Sequence, residues 1–229
     1  MISPTAGYFV TGTDTGVGKT VVTLGLMQHL QDQGCRVVPM KPVASGCQRT
    51  AQGLRNADAL QLQQQSSVPL EYSEVNPYAF EPAIAPHLAA AEAGCRIELA
   101  TIGTAYRRLA IQADQVCVEG IGGWLVPLNE AQTVADLASE LGLGIILVVG
   151  MRLGCLNHAL LTQVAIATAG LHLAGWVANQ PSPGCERVGE YIDALRSRLA
   201  APLLGMVPFL PECSAAGVAA CLDPGARLP

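Results

Sequence analysis

The sequence predicts a single α/β domain in which a doubly wound, mostly parallel sheet carries helices on both faces. Apolar runs of strand length alternate with segments of helical character along most of the 229 residues, a pattern typical of doubly wound folds. Half of the residues are hydrophobic, whereas only 4% are aromatic and 14% charged. Such a composition favours a core of Ala, Leu, Val and Gly between sheet and helices. We therefore expect one domain over residues 1–229.

Six apolar runs are the predicted strands, and helical segments lie between them. The predicted strands are 8–11, 36–40, 115–119, 145–150, 173–179 and 203–208. Helices are predicted over 19–33 with a left-handed cap at Gly34, from Thr133 to Gly142, in the stretch before Gly170, and over 186–199. Residues 41–87 interrupt the alternation, with only a short helix near 57–65 and several prolines. Because long loops in compact domains are often functional, we expect this region to serve function.

Charge and cysteine usage exclude several classes of protein. The net charge is −5, so no basic stripe is available to neutralise the phosphates of a nucleic acid. The eight cysteines form no C-x-x-C pair, and we expect them to be reduced. The first ten residues lack the basic and apolar regions of a secretion signal, and the longest apolar run falls short of the ~20 residues that cross a bilayer. A cytoplasmic protein that binds neither nucleic acid nor membrane is predicted.

The segments that follow the six predicted strands are rich in glycine, proline or polar residues. They read GTDTGVGKT, KPVASG, EGIGGW, MRLGCLNH, NQPSPG and PFLPE. In an open α/β sheet, ligands bind beyond the carboxyl ends of the strands. Any one of these loops could be an ordinary connection, but together they predict a binding site at one edge of the sheet.

The first of these loops resembles a phosphate-binding loop. Gly16, Gly18, Lys19 and Thr20 fit the end of the Walker A pattern between a strand and a helix, although Thr13 stands where the first glycine belongs. Backbone N–H groups and the helix N-terminus would surround phosphates, and the lysine would reach the outer ones. An ordinary strand-to-helix turn would leave Lys19 without a role, so the loop predicts a nucleotide site.

Two acidic residues are candidates for binding the Mg²⁺ that accompanies a nucleotide. Glu119 ends an apolar strand, where the acid of a P-loop protein is expected, and Asp58 lies in the long irregular region. Carboxylates complement phosphates around Mg²⁺. For Asp58, the alternative is an acid that favours a helix N-terminus.

Lys41 and Asn179 follow two other predicted strands. A second lysine near the phosphates would stabilise a transferring phosphoryl group, whereas the alternative is a solvated surface lysine. Asn179 has amide groups suited to the edge of a base, or it is a turn residue ahead of Pro181. Cys155 and His158 have a ligand-like spacing, but two residues do not close a zinc site.

Taken together, the segments FVTGTDTGVGKT, KPVASG, GLRNADAL, VNPYAF, VEGIGGW, ILVVGMRLGCLNHALLT, GWVAN and APLLG resemble the dethiobiotin synthetase family. The resemblance runs from Tyr8 to Leu210, and the tail 214–229 carries none of it. It implies a P-loop NTPase fold and a homodimer with a diamine site at the interface. It also implies a ligase that uses MgATP to convert CO₂ and 7,8-diaminononanoate into the cyclic urea dethiobiotin, ADP and phosphate.

The resemblance also implies roles for individual residues. The catalytic residues would be Lys19, Lys41 and Thr15, and the Mg²⁺ ligands would be Thr20, Asp58 and Glu119. The residues implied to bind ATP are Gly16, Val17, Gly18, Lys19, Thr20, Val21, Asp58, Glu119, Gly120, Ile121, Gly122, Asn179, Gln180, Pro208, Phe209 and Leu210. The residues implied to bind the diamine are Thr15, Lys41, Ser45, Leu153, Gly154, Cys155, Asn157 and Tyr191, the last across the subunit interface.

The chain departs from the family pattern at three places. Gly16 stands where members carry glutamate, Arg152 replaces a lysine, and Glu212 only neighbours the acid that contacts the ribose. Arginine offers a planar fork where lysine offers a point charge, so the local geometry is expected to differ.

Two other classes of protein share parts of this pattern. Switch ATPases of the partitioning or septum-site type carry a lysine early in the loop, where this chain has Asp14. Amide-forming ligases act on larger substrates and normally add a glutaminase domain, for which we expect no room in 229 residues.

Overall fold

A computed structural model describes residues 6–222, so part of the predicted tail, 223–229, lies outside the described residues. The strands are β1 Ala6–Gly12, β2 Val37–Met40, β3 Val43–Ala44, β4 Gln48–Thr50, β5 Gly53–Arg55, β6 Tyr78–Ala79, β7 Gln115–Glu119, β8 Gly144–Gly150, β9 Leu173–Asn179 and β10 Leu203–Val207. The helices are α1 Lys19–Asp32, α2 Ala57–Gln64, α3 Tyr72–Val75, α4 Pro86–Glu92, α5 Leu99–Ala110, α6 Val134–Leu141, α7 Cys155–Thr168, α8 Val188–Arg196 and α9 Ala215–Ala219. All six predicted strands are confirmed, with bounds shifted by at most two residues.

The six predicted strands form one parallel sheet in the order β10-β9-β8-β1-β7-β2. Strand β1 lies inside the sheet, between β8 and β7, so the loop that follows β1 is flanked by the loops that follow its two neighbours. All six strands run in the same direction, and their carboxyl ends therefore meet at one edge. This arrangement confirms the doubly wound fold class.

The sheet is buried on both faces, because successive side chains of each strand point to opposite sides. On one face, Tyr8 and Val10 of β1 belong to a core shared with α1 and α9. On the other, Phe9 packs in a second core with α4, α5 and α6, and a third core joins β8 and β9 to α7 and α8. The strands accordingly read as nearly continuous apolar runs, as parallel strands covered on both faces do.

Local signals set the ends of α6 as predicted. Thr133 and Asp136 form a reciprocal capping box at its start, which satisfies two backbone N–H groups that would otherwise lack partners. Gly142 ends the helix in the left-handed conformation, with φ 64°, where a residue without Cβ is favoured. The predicted left-handed residue after α1, Gly34, is also confirmed.

The prediction that residues 41–87 contain only one short helix is wrong. Besides α2, the region holds α3, the start of α4 and four short strands, of which β3 pairs with β6 and β4 with β5. In the pairing of β3 with β6, Val43 lies opposite Tyr78 and Ala44 opposite Ala79. The paired residues are thus 35 positions apart in the sequence. Pairing at such a separation leaves no local pattern in the sequence. Among residues 6–222, no helix is long and apolar enough to cross a membrane.

Candidate nucleotide and substrate site

A cavity of about 470 Å³ opens at the carboxyl edge of the sheet. Five of the six strand-end loops contribute to it, together with the region around α2. The lining residues are Thr15, Gly16, Gly18, Lys19, Thr20, Val21, Lys41, Ala44, Ser45, Asn56, Asp58, Glu119, Ile121, Gly122, Asn179, Gln180, Pro181, Val207, Pro208, Phe209, Leu210 and Cys213. The sixth loop, after β8, lies outside this lining and touches the P-loop through Arg152.

The loop between β1 and α1 depends on glycine at two positions. Gly16 and Gly18 have φ of 72° and 88°, the left-handed region that residues with a Cβ rarely occupy. A Cβ on Gly18 would also overlap the Asn179 amide, which donates to the Val17 carbonyl at 2.7 Å. Asn179 therefore fastens the middle of the loop to the end of β9. The interpretation of Asn179 as a turn residue is therefore wrong. A contact between Asn179 and adenine stays a prediction.

Lys19 is buried, and its ammonium lies across the loop that precedes it. The Nζ atom donates to the carbonyl oxygens of Asp14 at 2.9 Å and Gly122 at 2.7 Å. Burial, and then the nearby Lys41 charge, lower the pKa of Lys19 from 10.5 to about 8. An ammonium that lacks a full countercharge is suited to receive phosphate oxygens.

Lys41 and Glu119 form an ion pair at the inner wall of the cavity. Lys41 Nζ lies 2.6 Å from Glu119 Oε1, and the two side chains are 6% and 1% exposed. Glu119 Oε1 also accepts from the Thr20 hydroxyl at 3.0 Å, and Lys41 Nζ donates to the Gly120 carbonyl at 3.3 Å. The reading of Lys41 as a solvated surface residue is wrong.

Glu119 has room for a further partner. Its Oε2 atom is buried and makes no hydrogen bond in the structure, an arrangement that is costly for a charged oxygen. The hydroxyl of Thr20 is bonded to the same carboxylate, and Asp58, in the first turn of α2, lines the same cavity. Oxygen donors of these types are what Mg²⁺ prefers, so the residues present fit a Mg²⁺ ion.

Part of the cavity has a more apolar lining. Gln180, Pro208, Phe209 and Leu210 line it as predicted for an ATP site, and the Gln180 N–H is bonded to the Val207 carbonyl at 2.9 Å. Two residues implied to bind ATP do not line it. The Val17 side chain is buried, and Gly120 is buried with its carbonyl bonded to Lys41.

Most residues implied to bind the diamine lie outside the cavity. Thr15, Lys41 and Ser45 line it, whereas Leu153, Gly154, Cys155, Asn157 and Tyr191 do not. Cys155 begins α7 with its side chain buried against β8 and β9. Leu153 is 89% exposed.

Five lining residues were not predicted: Ala44, Asn56, Pro181, Val207 and Cys213. Asn56 was predictable as a helix start, because asparagine is a preferred N-cap residue. In the structure its side chain caps α2 by accepting from the Ala59 N–H at 3.1 Å. Cys213 reaches the cavity from the segment before α9, which carries no motif.

A family model described as "AAA domain" matches residues 6–216. The ATP-dependent dethiobiotin synthetase BioD of Pseudomonas paraeruginosa is 54% identical over 217 residues, which cover 94% of this chain and 95% of that protein. The chain belongs to the dethiobiotin synthetase family. A second member, ATP-dependent dethiobiotin synthetase BioD 1 of Escherichia coli O157:H7, is 51% identical over 90% of this chain and 91% of its own length.

Proteins outside the dethiobiotin synthetase family have solved structures with the same fold. The septum site-determining protein MinD of Pyrococcus horikoshii OT3 superposes with a TM-score of 0.55 at 16% identity, over 95% of this chain and 86% of that one. The signal recognition particle receptor FtsY of Elizabethkingia anophelis also gives 0.55, at 15% identity, over 100% of this chain and 63% of that one. At such identities the likeness shows the fold alone.

Proposed function

We propose that this chain is an ATP-dependent ligase that closes a cyclic urea from CO₂ and 7,8-diaminononanoate, giving dethiobiotin, ADP and phosphate. The observation that carries the proposal is the pair of buried ammonium groups, Lys19 and Lys41, on one cavity behind a P-loop, in a chain that belongs to the dethiobiotin synthetase family. One ammonium suffices to hold the outer phosphates of a nucleotide. A second serves a reaction in which negative charge develops on both the phosphoryl group and its acceptor.

The reaction proceeds in three balanced steps. One amine of the substrate adds to CO₂ and loses a proton, which forms a carbamate. A carbamate oxygen then bonds to the γ-phosphorus of ATP as the bond between that phosphorus and the ADP oxygen breaks. Finally the second amine attacks the carbamoyl carbon, the bond from carbon to the phosphate oxygen breaks, and a proton leaves the nitrogen.

In this reaction Lys19 holds the β- and γ-phosphates, and Lys41 stabilises the transferring group and the carbamate. Thr15 and Ser45 line the same cavity as Lys41, and their hydroxyl groups orient the carbamate. Asn179, Gln180 and the 208–210 segment hold the adenine.

Mg²⁺ is the metal we propose, held by Thr20, Asp58 and Glu119. When bound with ATP, it neutralises phosphate charge. The unpartnered Oε2 atom of Glu119 supports this assignment. In the structure Lys41 lies on the Oε1 side of the same carboxylate and provides the counter-charge of Glu119.

The diamine site is proposed to be completed by a second copy of the chain. Asn157, Leu161 and Val164 are exposed at helical spacing along α7, and the exposed Leu153 lies two residues before the helix; we call the surface of these four residues the α7 face. It begins at the loop next to the cavity. In a homodimer the α7 face would be covered, Leu153, Gly154 and Asn157 would line the diamine, and Tyr191 of the partner subunit would reach the substrate carboxylate.

The remaining features support a single P-loop domain in a reducing compartment. One sheet accommodates all six long strands, and all eight cysteines are free, as is usual in the cytoplasm. We therefore propose a cytoplasmic enzyme.

The deciding experiment measures phosphate release from MgATP with ¹⁴C-bicarbonate and the diamine present together or singly. We expect release only when both are present, with label in the product in a one-to-one ratio to phosphate. Equal phosphate release without the diamine would reject the ligase and favour a switch ATPase of the partitioning or septum-site type.

A further inference from the structure

Arg152 connects the loop after β8 to the P-loop. Its Nη2 atom is bonded to Asp14 Oδ2 across 138 residues of sequence. Neither residue lines the cavity. The contact thus joins two loops at the sheet edge from outside the nucleotide site.

Asp14 is tied to the P-loop at two further points. Its Oδ1 atom accepts the Thr15 N–H at 2.7 Å, and its carbonyl oxygen accepts from Lys19 Nζ at 2.9 Å. The orientation of this one residue therefore sets both the start of the loop and the resting place of the Lys19 ammonium. Hydrogen bonding from the Thr15 N–H, and then the Arg152 charge, lower the pKa of Asp14.

Stability does not account for the pair. The Arg152 and Asp14 side chains are 51% and 48% exposed, and ion pairs at such positions contribute about 0–1 kcal/mol. A carboxylate beside a phosphate site is itself unfavourable, because it repels the nucleotide. A guanidinium paired to it removes that repulsion and, through its planar fork, restricts the carboxylate to one orientation.

We propose that Arg152 is a positioning residue that acts through Asp14. Paired with Asp14, it holds the first turn of the P-loop and the Lys19 ammonium in the geometry that receives phosphates, and it masks the Asp14 charge. The inference rests on the proposed function only in that the cavity binds a nucleotide, and it requires neither the diamine nor turnover.

The test measures the Kd of MgADP by calorimetry, without diamine, for the wild-type chain, R152Q, D14N and the double variant. We expect R152Q to weaken binding about tenfold when Asp14 is present, as a coupling of roughly 1.4 kcal/mol within a contacting pair implies. In the D14N background the same substitution should change the Kd less than twofold. R152K should restore part of the loss, since it keeps the charge without the fork.

Two results would overturn the proposal. An equal loss from R152Q in both backgrounds would mean that Arg152 acts on the nucleotide directly, and no loss in either would mean that the pair is a surface contact. R36Q is the matched control, because Arg36 and Asp114 form an exposed ion pair at 3.0 Å, with side chains 63% and 48% exposed, at the opposite edge of the sheet. It should leave the Kd unchanged. The bicarbonate assay can reject the ligase while the Kd measurements on the Arg152 and Asp14 variants still support the positioning role, so the two proposals are tested separately.

Discussion

Lys19 is charged only over part of the accessible pH range, because burial and Lys41 lower its pKa to about 8. In the free protein the ammonium is present below this value and is lost as the pH rises through it. Bound phosphates favour the charged form, so nucleotide binding above pH 8 must take up a proton. The affinity for MgATP should therefore be constant below pH 8 and fall about tenfold per unit above it.

Calorimetry in buffers of different ionisation enthalpy measures both the affinity and the proton uptake. Lys19→Arg is the control, since a guanidinium stays charged throughout this range, and its pH profile should be flat up to pH 10. A wild-type profile that is flat to pH 10 would show that Lys19 is not the group that receives the phosphates.

Lys41 differs from Lys19 in having a carboxylate partner, so its proposed role can be separated from nucleotide binding. Lys41→Ala removes the group that is proposed to meet the transferring phosphoryl group and the carbamate. We expect turnover to fall about 10²- to 10³-fold, with the Kd of MgADP changed much less.

The matching stability measurement is part of this prediction. Removal of Lys41 leaves Glu119 buried without its counter-charge, which costs about 3–5 kcal/mol, and Mg²⁺ should restore part of that loss by binding the carboxylate. If turnover remains at the wild-type level, Lys41 has no part in the reaction.

At the level of elements, the contact between α1 and α9 depends on the absence of one side chain. Gly25 faces α9, and a Cβ there would overlap the Val218 side chain and come within 3.2 Å of the Ala219 backbone nitrogen. Gly25→Ala would ordinarily stabilise a helix by about 0.5–1 kcal/mol. Here overpacking should reverse the sign, with a loss of about 1–3 kcal/mol.

Urea denaturation of Gly25→Ala, compared with Gly25→Ala/Val218→Ala, measures this effect. The second substitution makes room for the new methyl group, so the penalty of the first should be smaller in its presence than in its absence. A stabilised single variant would show that α9 does not pack on α1 as described.

The elements differ in how far local sequence determines them. The long strands were predictable because each is a nearly continuous apolar run. Helices α1, α6 and α7 were predictable because a left-handed glycine, Gly34, Gly142 or Gly170, follows each of them. Helix α5 was missed although Leu99, Ile102 and Leu109 are buried at helical spacing, so its signal was present. The short strands β3 and β6 were not predictable, since neither exists without the other.

In the site, too, residues in local motifs were predictable and contacts between distant residues were not. Lys19, Thr20 and Glu119 followed from motifs, because the loop and strand that carry them are local structures. Contacts between distant residues had no such signal: the Asn179 amide on the Val17 carbonyl and the Arg152 guanidinium on Asp14 join parts of the chain that only the folded sheet brings together.

For the whole molecule, the proposed dimer makes the α7 face testable. Leu161 and Val164 are 60% and 62% exposed, and burying the exposed part of both side chains contributes about 2–4 kcal/mol in all. Leu161→Glu/Val164→Glu should yield a monomer by sedimentation velocity. Turnover should be lost, while MgADP is still bound.

Ile111→Glu is the control, because Ile111 is 76% exposed at the end of α5 and lies outside the α7 face. It should not change the sedimentation coefficient. A double variant that sediments as the wild-type dimer would place the subunit interface on another surface.

The nucleotide cavity is closed by segments from both ends of the described chain. One wall is the P-loop, and another consists of residues 207–210 and Cys213, which run from the last residue of β10 onward. A growing polypeptide on the ribosome thus exposes its phosphate loop long before this second wall has been synthesised. Because a ligand stabilises only the state that binds it, ATP in the cell favours the finished protein and gives little help to the nascent one.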